Sequence, residues 1–393
     1  MQIGPYKIDR LELAGSLGDL GTIIPLSVAL MLVTGLSVTT VLLTVGLFYV
    51  AAGLFFKLPI PVQPLKVVSA IAIAYPEKIS VSIMAAAGIS IGLILLLLAF
   101  TGLMDRLARF FSRPIIRGIQ AGLGLILINK GIAYILHPNV FISQSAAAGL
   151  TGLLNPVIGI TGFIIALYLL TNRTFPAALF LVAGGMATGI LLGALRGLEF
   201  ALGPTPVHFQ PVAPTDFSAA IMLLVIPQLP LTLGNAVIGT TDACRTFFGE
   251  KRLPGQVSNR NFAVSMGLAN LGTGLLGGMP MCHGAGGLAA HYRFGARTGG
   301  ANLMIGGIFL VLALGFGKMG IALLAALPQG ILGVLLLFAG LELALLIRDV
   351  ENRTDYFITF LVAGIGLATT NMGVAFFIGI LVQGLIKWRR IEI

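Results

Sequence analysis

Apolar runs long enough to cross a bilayer recur from one end of this chain to the other, and only short joints carrying Pro, Gly or charge separate them. A helical span needs roughly 20 apolar residues. Inside lipid every backbone N–H and C=O must find its partner within the protein, so the spanning element is a helix unless irregular backbone is buried. Charged residues make up 10% of the sequence, where a soluble domain carries about 25%. No soluble core hides that much apolar surface. The sequence therefore specifies an all-α integral membrane protein with membrane lipid as its solvent.

The runs read as fourteen segments: 11–34, 38–56, 64–76, 81–104, 115–136, 148–171, 176–195, 218–241, 261–278, 283–292, 299–317, 319–346, 355–370 and 372–388. Segments 3 and 10 are too short to cross the bilayer and read as half-helices. Each follows a Pro-rich piece, LPIPVQP from Leu58 to Pro64 and GMPMCH from Gly278 to His283. Proline lacks an N–H and keeps the residue before it out of the helical region, so both pieces are expected to be extended strands. Interrupted segments in matching places of two halves point to a transporter's binding site.

Threading the segments from a cytoplasmic N-terminus tests this count. Lys7, Arg10, Lys57, Arg106, Arg109, Arg113, Arg117, Arg173, Arg245, Lys251, Arg252, Arg260, Arg293, Arg297, Arg348, Arg353, Lys387, Arg389 and Arg390 then fall on the cytoplasmic side, 19 of the 24 basic residues. Lys78, Lys130, Arg196 and Lys318 fall outside, and Lys66 is left in the membrane. The positive-inside rule favours this threading, with both termini cytoplasmic in a plasma membrane. It also accounts for the net charge of +10 without a nucleic-acid partner.

The joint 203–216 divides the chain and is expected to face outward. Gln120-Ala-Gly-Leu-Gly124 resembles Gln329-Gly-Ile-Leu-Gly333, and Pro61-Val-Gln-Pro-Leu65 aligns with Pro280-Met-Cys-His-Gly284. The halves thus read as two seven-segment repeats, and because seven is odd the second is inverted.

The residues that carry chemistry follow from the two breaks. A helix starting inside the membrane presents unpaired N–H groups and partial positive charge, which suits an anion rich in acceptor oxygens. The expected donors are the amides near Leu65–Val67 and His283–Gly286, with Gly284, Gly286 and Gly287 either admitting the anion to the backbone or only permitting helix packing. Lys66 either supplies a point charge or snorkels to the interface. Asp19, roughly 12 Å into the first segment at 1.5 Å per residue, is either the carrier of a coupling proton or cation, or a salt-bridge partner of Lys66, or a cap. In segment 8 two prolines, Pro227 and Pro230, are expected to break the span, and Gln228, Thr232 and Asn235 offer neutral hydrogen bonds. Glu77, Asp242 and Glu342 read as interfacial. His283 is a hydrogen-bond donor, a titrating group or a cap. The four histidines have no ligand spacing, two cysteines make no metal site, and no catalytic grouping or phosphate loop occurs. No metal, cofactor or enzymatic activity is expected.

The blocks Gly18-Asp-Leu-Gly-Thr22, Pro61-Val-Gln-Pro-Leu-Lys66, Pro227-Gln-Leu-Pro-Leu-Thr232 and Met279-Pro-Met-Cys-His-Gly-Ala-Gly-Gly-Leu-Ala289 with Tyr292-Arg-Phe-Gly-Ala-Arg297 resemble the microbial and plant molybdate transporter family, a branch of the sulfate permease (SulP) and uracil permease superfamily. His291 stands where that pattern carries Gln. The resemblance implies a core of segments 1–4 and 8–11 (residues 1–110 and 217–318), a gate of segments 5–7 and 12–14 (residues 111–202 and 319–393) and an extracellular linker, 203–216. It implies substrate between segments 3 and 10 with contacts from 1 and 8, so the binding set is Asp19, Thr22, Gln63, Lys66, Gln228, Thr232, Asn235, Cys282, His283, Gly284, Ala285 and Gly286. It further implies elevator-like movement of core against gate, often in a homodimer. The expected function is uptake of a small oxyanion, molybdate first, with sulfate or tungstate as rivals. An anion channel or a nucleobase permease are the competing classes, the latter wanting acidic residues where Gln228 and Cys282 stand.

Overall fold

The computed structural model describes residues 2–104, 112–142, 152–169, 177–196 and 201–389. The expected basic positions Arg106, Arg109, Arg173 and Arg390, the 110/111 domain boundary and part of segments 6 and 7 lie outside the described residues, as does the side chain of Arg252. The chain is mainly helical. The N-terminus forms a hairpin, β1 (Gln2–Ile3) with β2 (Tyr6–Lys7). The first half then contains α1 (Arg10–Ser16), α2 (Leu20–Thr34), α3 (Val38–Phe56), β3 (Gln63–Pro64), α4 (Lys66–Ala74), α5 (Val81–Thr101), α6 (Arg113–Ile135), α7 (Leu154–Leu169) and α8 (Ala177–Leu191). The second contains α9 (Pro214–Phe248), α10 (Asn259–Leu275), β4 (Met281–Cys282), α11 (Ala285–Arg293), α12 (Gly300–Ala325), α13 (Gln329–Ala344), α14 (Arg353–Thr369) and α15 (Met372–Arg389). Among the described residues 7 helices are long and apolar enough to cross a membrane, or 8 if the bent pair α1 and α2 counts as one span.

Helix starts follow local capping chemistry. Ser37, Ser80, Ser258 and Asn352 each accept a hydrogen bond from a first-turn amide, which satisfies a donor the helix cannot. The long helices cross in pairs: α3 along α12, α5 along α10, and α6 along α13. Glycines face each other at these crossings. A Cβ on Gly131 would lie 2.6 Å from the Gly333 carbonyl, and one on Gly124 2.6 Å from the Gly340 carbonyl. Lipid offers no hydrophobic drive between helices, so close backbone approach supplies the packing energy.

Three expectations change. The first segment is bent by 44° between α1 and α2, leaving Asp19 at the break. Pro227 and Pro230 do not interrupt α9, because wider π turns at Ile221–Val225 and Thr232–Gly239 flank the short α stretch that holds them. Such turns absorb the missing amides and the ring clash that would kink a regular helix. The expected joint at Lys318, where core was to give way to gate, lies inside α12. There the ladder opens around the linker: the Lys318 amide donates to the Gly203 carbonyl, and the Gly203 amide donates to the Gly315 carbonyl. The helix ends instead before Pro328, the N-cap of α13.

The extended piece before α4 is held by side chains of other elements. The carbonyls of Pro59, Ile60, Pro61 and Val62 bond in turn to His291 Nδ1 (2.9 Å), Asn302 Nδ2 (2.6 Å), His283 Nδ1 (2.8 Å) and Tyr49 Oη (3.1 Å). On the other side Asn270 clamps Met281, donating to its carbonyl at 2.6 Å and accepting from its amide at 3.0 Å. β3 and β4 pair antiparallel, Gln63 opposite Cys282 and Pro64 opposite Met281. Irregular backbone at membrane depth survives only when satisfied in this way.

Candidate substrate-binding site

The β3–β4 pair sets the two half-helices beside each other, α4 beginning at Lys66 and α11 at Ala285. In front of them lies a cavity of about 420 Å³. One wall carries Thr22, Gln63, Lys66, Gly286 and Gly287, from α2, β3, α4 and α11. The other carries Leu335, Phe338 and Glu342 of α13, with residues from α7 and α8.

The two helix starts are not equivalent. At α4 the side-chain oxygen of Gln228 accepts from the amides of Val67 (2.9 Å) and Val68 (3.4 Å), while the Leu65 amide donates to the Pro280 carbonyl (2.9 Å). The expected donors at Leu65 and Val67 are therefore occupied. The His283 amide is likewise taken, by Met266 Sδ at 3.3 Å. At α11 the first internal bond runs from the Leu288 amide to the Gly284 carbonyl. The amides of Ala285, Gly286 and Gly287 have no acceptor among the described residues. Gly286 is exposed to the cavity, and a Cβ there would meet nothing within 4 Å. Lys66 is half-buried on the same cavity wall and has no hydrogen bond or ion pair among the described residues. One ammonium and one open helix start thus face the same space, an arrangement that attracts an anion.

Asp19 is buried behind this space. It forms no ion pair with Lys66; the ion pairs among the described residues join Arg117 to Asp349 and Arg245 to Asp242. Instead the Gln63 amide nitrogen donates to both Asp19 carboxylate oxygens at 2.8 Å. Gly287 closes the group: a Cβ there would stand 2.5 Å from Asp19 Oδ2 and 2.6 Å from Gln63 Nε2. A Cβ on Gly284 would collide with Gln63 Oε1. These two glycines are required by close approach. Thr22 lies one turn further along α2, its amide bonded to the Asp19 carbonyl at 2.9 Å.

The remaining expected residues sit around the cavity without lining it. Gln228 Nε2 donates to Thr232 Oγ1 at 2.9 Å, so both side chains serve the α4 cap. Asn235 lies in the second π turn of α9. Cys282 is buried in β4 with its sulfur 3.9 Å from the Pro64 carbonyl. His283 is enclosed by Phe48, Phe56 and Phe262. Its Nδ1 bonds the Pro61 carbonyl, which only accepts, so Nδ1 carries the proton and a neutral ring accepts from Ser265 Oγ at Nε2 (3.1 Å). The imidazole is not part of the cavity lining and fastens the strand. Gly18, Phe294, Phe338 and Glu342 line the cavity and were not in the expected set. Glu342 had a signal in the sequence, as a lone carboxylate in the apolar run 329–344. No metal-binding cluster occurs among the described residues.

A family model described as "Molybdate transporter of MFS superfamily" matches residues 11–127 and 220–343. Molybdate transporter 2 of Arabidopsis thaliana is 32% identical over 97% of this chain and 88% of its own length. The transmembrane domain of a cyanobacterium bicarbonate transporter, BicA, aligns with a TM-score of 0.69 at 17% identity, covering 94% of this chain and 98% of that one. Murine Slc26a9, an anion transporter solved in the inward-facing state, aligns with a TM-score of 0.72 at 15% identity, covering 100% of this chain and 70% of that one. At these identities the structures establish the fold alone, which is shared with the transmembrane parts of BicA and Slc26a9. The chain belongs to the molybdate transporter family.

Proposed function

We propose that this protein is a secondary active transporter that imports an oxyanion, with molybdate preferred, by elevator-like alternating access. The observation that carries the reading is the cavity where Lys66 and the open start of α11 converge. A tetrahedral dianion suffers a severe desolvation penalty, and one lysine does not offset it. Amides with no acceptor supply the further hydrogen bonds without added charge. The names of the relatives in this family agree with that substrate class. Lys66, Ala285, Gly286 and Gly287 are the direct ligands in this reading. Gln63, Asp19 and Thr22 shape the floor, and Gln228 with Thr232 holds α4.

The architecture proposed is fourteen segments in two inverted seven-segment repeats. It is supported by the pairing of helices: exchanging the halves turns the α3–α12 pair into α10–α5, and turns α6–α13 into itself. Lys66 and Ala285, the two half-helix starts, stand 219 positions apart, the offset of the aligned Pro-rich motifs. The core takes in α1–α5 and α9–α12, and the gate α6–α8 and α13–α15, with the cavity between them. The cavity extends to Phe294 and Leu346, beside Arg293 and Arg348, on the face proposed as cytoplasmic. It is therefore the inward-facing arrangement, in a plasma membrane with both termini inside. A dianion entering against a negative-inside potential is opposed by about 2.3 kcal/mol per charge per 100 mV. Asp19 is the proposed carrier of a compensating proton or cation, and the working unit is a homodimer. Binding titrations of the purified protein with molybdate, tungstate, sulfate and uracil test the substrate class. Saturable molybdate binding that the other tetrahedral oxyanions compete for supports it. Binding of uracil alone, or of no anion, overturns it.

A further inference from the structure

A second concavity, about 430 Å³, runs along the outside of the core between α3 and α10. We infer that it holds one acyl chain of an anionic phospholipid whose headgroup lies against Lys57 and Arg260. Three observations converge on that occupant.

First, the groove opens to the bilayer. Leu47, Phe55 and Leu268, which line it, are 52%, 47% and 59% exposed, and α3 is a span long enough to cross a membrane. At that depth its filling comes sideways from the membrane, and an apolar lining favours a hydrocarbon tail over water.

Second, its length is that of one leaflet. From Thr44 to Phe55 the α3 wall covers about 16 Å at 1.5 Å per residue, close to half of the roughly 30 Å hydrocarbon core.

Third, its charge lies at one end. Lys57 ends α3 immediately beyond the groove residue Phe55 and Phe56, and Arg260 directly precedes the groove residue Asn261 in α10. Both basic side chains are exposed, and the Arg260 guanidinium lies over the Phe100 ring at 5.7 Å, at the end of α5. The lining itself contains no charged residue. Basic side chains at the interface recognise phosphate headgroups.

The inner wall of the groove links the lipid to transport. It includes Met281 of β4 and Ser265, which bonds His283. A tail seated there packs on the back of the ladder whose front carries the half-helix starts. Loss of the lipid should therefore loosen that ladder.

The test uses purified full-length protein in phosphatidylcholine vesicles doped with a phosphatidylglycerol that carries a photoreactive group in its acyl chain. Labelling is mapped by peptide mass spectrometry, so it reads the lipid directly whether or not molybdate is the substrate. The inference predicts labels on α3 and α10 within 44–55 and 261–276. Ala51→Trp, which fills the groove, should abolish them. Lys57→Gln with Arg260→Gln should reduce them to the level of a phosphatidylcholine probe. Equal labelling by phosphatidylcholine and phosphatidylglycerol in the unaltered protein overturns the anionic assignment. Labelling that persists in Ala51→Trp overturns the site. A disulfide between copies through Ala269→Cys, with no lipid label, would show that a second protomer covers the groove instead.

Discussion

Replacing Lys66 with Ala removes the only basic side chain among the described lining of the main cavity. The Lys66 ammonium bonds to nothing within the described chain, so the substitution leaves no buried partner unpaired. Alanine is also a good residue for the first turn of α4. The cost to folding should then stay within about 0.5 kcal/mol, as for other substitutions that break no named contact. Binding is different. A hydrogen bond to a charged group is worth about 1.5–3 kcal/mol, and at 1.4 kcal/mol per tenfold this weakens Kd by roughly 10- to 140-fold. Lys66→Arg should recover only part of this, because the guanidinium fork is wider than the ammonium it replaces. Two readouts on the purified protein separate the effects: the melting temperature without ligand, and the Kd for molybdate by calorimetry. The account expects an unchanged melting temperature with a weakened Kd. An unchanged Kd would place Lys66 at the interface and remove it from the site, and a collapsed melting temperature would show that its role is structural.

Gly286→Ala and Gly287→Ala should differ in kind. The first places a methyl group in open cavity and weakens binding with little loss of stability, whereas the second drives one into Asp19 and Gln63 and lowers the melting temperature by several degrees; the two melts and two titrations decide. Substituting His283 with Ala leaves the buried Pro61 carbonyl unpaired and opens a void among three Phe rings, costing about 1–3 kcal/mol for the carbonyl alone. His283→Gln, which keeps a donor, should recover part of that stability, and neither change should alter the affinity of the protein that remains folded if the imidazole plays no part in binding. Asp19→Asn should abolish cation- or proton-driven accumulation in proteoliposomes while exchange of labelled for unlabelled oxyanion continues; full uphill uptake by this variant excludes Asp19 as the carrier.

The sequence was most legible where backbone chemistry leaves few options. Proline at 59, 61, 64 and 280 cannot donate to a helix ladder, and the extended pieces and half-helix starts fall where those residues require. The apolar runs likewise locate most helices, because lipid imposes a length. Exceptions arise where the backbone finds an unusual partner. Pro227 and Pro230 are absorbed by π turns of α9, and Lys318 looks like a joint because Gly203 inserts into the ladder there. Side-chain direction was less legible than position. His283 follows a strand at the centre of the fold, yet its ring turns back to satisfy Pro61. Gln228 offers the hydrogen bonds expected of a ligand, yet it spends its oxygen on the amides of α4. Both roles depend on which neighbours lack partners, and spacing along one chain does not encode that. The opposite wall, with Phe338 and Glu342, was missed for a related reason: helical periodicity identifies a buried face but not the element that it meets.

The most direct measurement is a molybdate-bound structure with the metal located by its anomalous scattering. The account predicts one peak in the cavity, with oxyanion oxygens within about 2.7–3.2 Å of the Lys66 ammonium and of at least one amide among Ala285, Gly286 and Gly287. An anion more than about 5 Å from both Lys66 and the start of α11, beyond the reach of any such hydrogen bond, would contradict it.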